Sequence, residues 1–221
     1  VWDPGDVKTD SRQIALAWSS NGKTWTRYQG TPVNGNADPI ILAGNDTYGK
    51  VWECDSSGFS KTCTPTLHYE NGVFYLYYAE EASGTNNGKV GLATFTWNNN
   101  TNSIVGLTRN AGNPIINLPQ DSTYQSGIGH LDVAISPTDN EYYMYGCREL
   151  QGSVAGFQVV LLTSSDKVSC TTRGTVLTAG ALGQWDSDRI YRSCPTVDQT
   201  GKIVLFDNKI QLFYSSEAGS G

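Results

Sequence analysis

Apolar and polar residues alternate over short runs along most of the chain, and no stretch keeps the apolar spacing of three and four that marks an amphipathic helix. The runs fall into a repeated pattern. TPTLHYENGVFYLYYA at 64–79 has a polar entry, a β run, a tight turn and an aromatic-rich β run. LDVAISPTDNEYYMYG at 131–146 repeats it, and CPTV at 194–197, continuing through KIVLFDNKIQLFYSS at 202–216, is a third copy. Asn71 with Gly72, and Asp207 with Asn208, stand between runs of high β propensity, which is the signature of a hairpin. A further pair of β runs follows each of the first two copies, at 88–97 with 103–107 and at 157–164 with 174–178.

Four short strands per repeat predict an all-β protein, a β-propeller with four-stranded antiparallel blades, folded as a single domain over residues 1–221. The third copy lacks its outer pair. QIALAWSSNGKTWTRY at 13–28 has the form of that missing pair, so closure is expected through pairing of N- and C-terminal strands. This arrangement would leave no long unpaired edge. Propellers have about four to eight blades, and three repeats are clear. Either residues 35–62 form a short irregular fourth, or the chain is part of a longer protein. A plain β-sandwich is the competing architecture.

Composition agrees with strands joined by polar turns: 24 glycines, 12 tyrosines, one methionine and 16% charged residues. The net charge of −6, without a Lys/Arg cluster, argues against a nucleic-acid partner. No apolar run approaches the roughly 20 residues of a membrane helix, so no membrane partner is expected. The chain starts at Val1, as a processed or partial chain would. The five cysteines include no Cys-x-x-Cys pair. Cys54 and Cys63 bracket a Ser/Gly-rich loop, which suggests a local disulfide and leaves an odd cysteine over. Sequons at Asn45 and Asn99 add to a secreted, extracellular reading. Oligomeric state is left open.

Part of the chain resembles a family. QIALAWSSNGKTWTRYQGTPV at 13–33, the Ala-Asp-Pro step at 37–39, the NPII step at 113–116, HLDVAI with EYYMYG, and RSCPTV at 192–197 are similar to segments of the five-bladed furanosidase-type glycoside hydrolases. These are the arabinanases, xylosidases, invertases and fructosidases. The resemblance implies a five-bladed propeller, a carbohydrate substrate, and three carboxylates at inner-strand starts: a base or nucleophile, a stabiliser and a general acid. Asp38 matches the Asp-Pro motif, and Asp132 the comparable position of a later blade. In the fructosidase branch the acid lies in a Glu-Cys-Pro motif; here Ser193 stands in its place. Glu53 and Glu149 remain as candidates for the acid.

Each candidate has a plainer alternative. Asp before proline or at a strand start often caps a turn. Glu53 would then lie exposed beside a disulfide, and Glu149 would pair with Arg148. His130 precedes Asp132 by two, so in a regular strand both side chains share a face. There His130 would hold the carboxylate or a sugar hydroxyl, or be a satisfied buried histidine. His68 sits mid-strand and reads as structural. Trp18 and Trp25 read as packing within the repeat. Trp52 and Trp185 lie in polar loops, where binding residues collect. The loop WDSDR at 185–189, with Asp188, is the preferred sugar contact, and Arg192 is a further binding candidate. Two histidines so placed make no zinc site, and no cofactor is expected, though a structural calcium would suit the Asp-rich loops. No Gly-x-Ser-x-Gly elbow or phosphate loop is present. The expected function is therefore hydrolysis of a polysaccharide or oligosaccharide, with a non-catalytic lectin on the same scaffold as the alternative.

Overall fold

A computed structural model describes residues 14–28, 40, 62–80, 88–124, 127–152 and 156–217. Among them there is no helix, and strand pairing is antiparallel apart from two parallel contacts, Phe157 with Arg189 and Ile135 with Lys202. The expected strand pairs are present. β3 (Thr62–Glu70), β4 (Val73–Glu80), β5 (Lys89–Asn98) and β6 (Ser103–Arg109) run as one meander, with the short β7 (Ile116–Asn117) added beside β5. β8 (Gly129–Ile135), β9 (Tyr142–Glu149), β10 (Phe157–Ser164) and β11 (Thr171–Leu177) form the second. The third unit pairs β12 (Arg189–Pro195) with β15 (Leu212–Glu217). β13 (Leu205–Phe206) and β14 (Lys209–Ile210) form a small separate hairpin between them.

The turns follow from their residues. Asn71 and Gly72 both take positive φ, 51° and 83°, as do Asp207 and Asn208, at 51° and 59°. Two successive positive φ values define the two-residue hairpin turn whose twist matches the flanking strands.

Each meander buries both faces. Tyr77, Ala79, Val90 and Leu92 of the first pack against Leu131, Met144, Val160 and Leu162 of the second. Tyr145, Cys147 and Val159, on the other face of the second meander, pack against Ile190, Leu212 and Tyr214 of the third unit. The far face of the first meander, with Leu76, Tyr78, Ala93 and Phe95, takes Ile14. The apolar faces of successive units thus pack on one another, the third unit also joining the second through the Phe157–Arg189 pairing of β10 with β12, and the first strands, β3, β8 and β12, are neighbours.

Four expectations change. The strand of the third unit begins at Arg189, not at Cys194. The N-terminal hairpin, β1 (Ala17–Trp18) with β2 (Thr26–Arg27), pairs with no C-terminal strand among the described residues. It lies instead on the first meander: the Trp18 and Tyr28 rings meet Trp97 at 6.3 and 6.0 Å, because that face holds the apolar surface they match. Trp25 is 61% exposed rather than packed, its indole N–H donating to Gly22 O at 3.2 Å within its own turn. No disulfide joins any two described cysteines, and Cys54, the suggested partner of Cys63, lies outside the described residues. Burial pushes the Cys147 thiol up to about 12, and burial with the nearby Asp166 charge pushes Cys170 up to about 11. Neither is an activated nucleophile.

A polar cluster ties the units together at the C-terminal end of β3. Lys167 Nζ lies 2.7 Å from Glu70 Oε2, and Tyr142 Oη donates to the same carboxylate at 2.8 Å. His68 is buried beside it, edge-on to Tyr142 and 4.0 Å from Glu70. Burial holds His68 below its ordinary 6.5; Glu70 pulls it up and Lys167 pushes it down. Burial alone would raise Glu70, but the hydrogen bonds from Lys167 and Tyr142, with the charges of Lys167 and His68, hold it below 4.5. In both cases the unfolded chain binds protons that the folded chain resists. Stability is therefore expected to fall as pH drops through 6.5, and again below 4.5. Melting temperature followed against pH checks this: His68→Gln should flatten the limb near pH 6 and leave the acid limb. An unchanged upper limb in the variant would show that His68 does not carry it.

Candidate functional site

The three neighbouring first strands share an irregularity. β3 gains a residue between Cys63 and Thr66, β8 between Gly129 and Asp132, and β12 between Ile190 and Arg192. Such bulges re-aim side chains and gather next to active sites. Within two of them a non-glycine residue holds positive φ, Thr64 at 43° and His130 at 48°. For β-branched Thr64 this is a strained conformation, of the kind that persists where function demands it.

The three bulges open on one cavity of about 280 Å³. Its walls include Cys63 and Thr64 from β3, Ala79 and Glu80 from the end of β4, and 127–130 at the entry of β8. Cys147 and Glu149 from β9, Phe157 from β10, and Arg189 and Tyr191 from β12 complete it. The cavity therefore joins two carboxyl groups, an imidazole, a guanidinium and aromatic rings. Glu80 is only 2% exposed, while Glu149 is half-buried. The Tyr191 ring stacks on Phe157 with centroids 6.0 Å apart and meets the His130 ring edge-on at 5.8 Å. The Thr64 Oγ1 atom is buried, and no hydrogen-bond partner for it is present among the described residues.

Glu149 and His130 are thus brought together, as candidate site residues from separate strands. Arg148 does not pair with Glu149. Adjacent strand residues point to opposite faces, and Arg148 instead donates to Pro119 O at 3.0 Å and lies over the Tyr124 ring at 4.0 Å. The bulge also overturns the expected parity of His130 and Asp132. With the extra residue, Asp132 shares a face with Gly129, and His130 is turned to the cavity.

Asp132 is the first residue past the bulge in β8, and Arg192 holds the same place in β12. The two are coupled. Burial pushes the Asp132 carboxyl up, offset by the Val133 N–H at 3.1 Å and by the Arg192 charge. Thr66 holds this place in β3, and its hydroxyl donates to Leu131 O. Neither Asp132 nor Arg192 lines the cavity itself.

Asp188 does not line the cavity; its carboxylate lies 3.6 Å from Nε of the cavity residue Arg189, and its carbonyl accepts from Gly156 N at 2.7 Å. Trp185 stands 62% exposed in the preceding loop. Ser193, where the family's acid motif falls, is buried and does not reach the cavity. Asp38, Glu53 and Trp52 lie outside the described residues. Glu80, Tyr191 and Phe157 were not singled out from sequence, while Arg189 was, as the last residue of the 185–189 loop. Glu80 sits at the end of an aromatic strand, where nothing local separates it from a solvent-facing terminus; only the packing of three units closes a cavity over it. Among the described residues no group of three His, Cys, Asp or Glu side chains could hold a metal ion.

No family model matches this chain, and no curated protein matches it. Among solved structures it is similar to an N-acetylgalactosamine deacetylase from F. plautii, determined in complex with blood group B trisaccharide. The TM-score is 0.46 and the identity 17%, over 91% of this chain and 60% of that one. The chain thus spans about three-fifths of that protein's length, and a likeness this slight bears on neither its activity nor its ligand.

Proposed function

We propose that this protein is a secreted carbohydrate-active β-propeller of the five-bladed furanosidase type, hydrolysing glycosidic bonds in a polysaccharide or oligosaccharide. One observation carries the reading: the bulged entries of the first strands of three successive units converge on one cavity that holds two carboxyl groups beside His130, Arg189 and an aromatic wall. Glycoside hydrolysis needs a carboxylic acid to protonate the leaving oxygen and a second carboxylate to act as nucleophile or to activate water. Glu149, half-buried in the cavity wall, takes the acid role. Its proton passes to the glycosidic oxygen as the bond from that oxygen to the anomeric carbon breaks. Glu80, the second carboxylate of the cavity, takes a proton from the water whose oxygen bonds to the anomeric carbon as the leaving oxygen departs. Asp132 lies behind the cavity, past the β8 bulge, and with Arg192 it braces the entry of β8 and does not touch the sugar. The exposed Asn99, at the turn between β5 and β6, suits a glycosylated extracellular protein.

A lectin on the same scaffold is favoured by a different observation: Ser193 replaces the family's acid and is buried away from the cavity. Incubation with arabinan, xylan, fructan and mixed glycans, followed by mass spectrometry, separates the two. Release of a defined sugar supports the hydrolase. Retention without release supports the lectin, and neither release nor retention overturns the carbohydrate reading.

A further inference from the structure

The loop leading into β12 carries an aromatic surface outside the cavity. Trp185 is 62% exposed, and one face of its indole is covered by Tyr214, nearly parallel at 20° with centroids 5.6 Å apart. Its other face is open. The support is fixed: Tyr214 Oη donates to Asp186 Oδ2 at 3.0 Å, Gly180 N donates to Asp186 O at 2.9 Å, and Ser187 N donates to Gln184 O at 3.2 Å. The loop is tied to β10 through Gly156 N and Asp188 O. A large apolar ring held in water on a braced loop gains nothing for folding, but it lowers the ordering cost of binding. An aromatic face flanked by Gln184 and Asp186 fits the apolar C–H face of a sugar ring, with hydrogen-bonding groups at its edge.

This loop leads directly into the strand whose Arg189 and Tyr191 wall the cavity. Trp185 and Tyr191 are six positions apart, so at no more than about 3.6 Å per residue their backbones lie within roughly 20 Å. We infer that the 180–188 loop is a second sugar subsite, in which Trp185 stacks one ring of a glycan chain whose other residues occupy the inner-strand cavity. The inference rests on the carbohydrate reading of that cavity and deepens it: the ligand is an extended glycan, not a single sugar.

The test is calorimetric titration of the intact protein with a monosaccharide and with graded oligosaccharides of arabinan, xylan and fructan, with indole fluorescence recorded in parallel. Binding by the wild type should tighten about tenfold once the chain is long enough to reach Trp185, with a change in fluorescence, since one aromatic contact worth about 1.4 kcal/mol is a factor of ten. Trp185→Ala should lose that gain, and Trp185→Tyr should recover part of it. If the wild type binds long and short glycans equally, or Trp185→Ala keeps the gain, the subsite is overturned while the cavity reading stands. If no glycan of any length binds, both fall.

Discussion

Glu149→Gln is expected to lower kcat by roughly 10²–10⁴-fold with little change in KM, the range that a positioned general acid contributes. Glutamine keeps the shape and the hydrogen-bonding reach of the side chain but has no proton to give to a leaving alkoxide. The loss should shrink on an aryl glycoside, whose phenolate leaves without protonation, and this pattern distinguishes a missing acid from a damaged cavity. Binding of an intact oligosaccharide should persist in the variant. A Glu149→Gln protein with full turnover on natural glycan would remove Glu149 from the mechanism and leave Glu80 as the cavity's remaining acid.

Gly88→Ala is expected to destabilise the fold by about 2–4 kcal/mol. Gly88 holds φ at +90°, a conformation that costs an L side chain. A Cβ there would lie 2.5 Å from Ile128 N, 2.7 Å from Gly127 C and 2.9 Å from Ile128 O. All three are backbone atoms, so no rotamer change relieves the overlap. Gly88 O also accepts from Ile128 N at 2.8 Å, which joins the start of β5 to the segment entering β8. Gly106→Ala is the matched control: its φ is +67°, but a Cβ there meets nothing within 4 Å. Urea unfolding should show a lower midpoint at unchanged slope for both, with Gly88→Ala lower by a further 1–3 kcal/mol, the usual cost of overpacking. Equal midpoints would mean that the two segments are not in close contact. Because Gly88, Gly127 and Ile128 all line the cavity, ligand affinity should fall in the Gly88 variant alone.

Much of the local architecture was legible in the chain. The alternation at 64–79 and 131–146 placed two hairpins, and the Asn71 and Asp207 pairs placed two turns, because period-two patterning and positive-φ residues act over a few positions. Composition alone argued for strands over helices. Glu149 and His130 were singled out from their positions at strand ends, and both line the cavity. The parity argument for His130 and Asp132 failed because the strand has an inserted residue, and nothing in HLDV announces a bulge. The same irregularity recurs in β3 and β12, where Thr64 and Tyr191 are turned toward the cavity.

The sequence by itself determined the hairpins of the first two units, their turns and the predominance of strand among the described residues. Those features depend on side chains a few positions apart, whose alternation and turn chemistry can be read directly. Only the tertiary structure decided which strand entries meet. Glu80, Glu149, His130 and Arg189 span more than a hundred positions and come together because each unit has apolar faces to bury against its neighbours. The packing that satisfies those faces sets β3, β8 and β12 side by side, and their bulged ends then enclose a cavity that no single repeat contains.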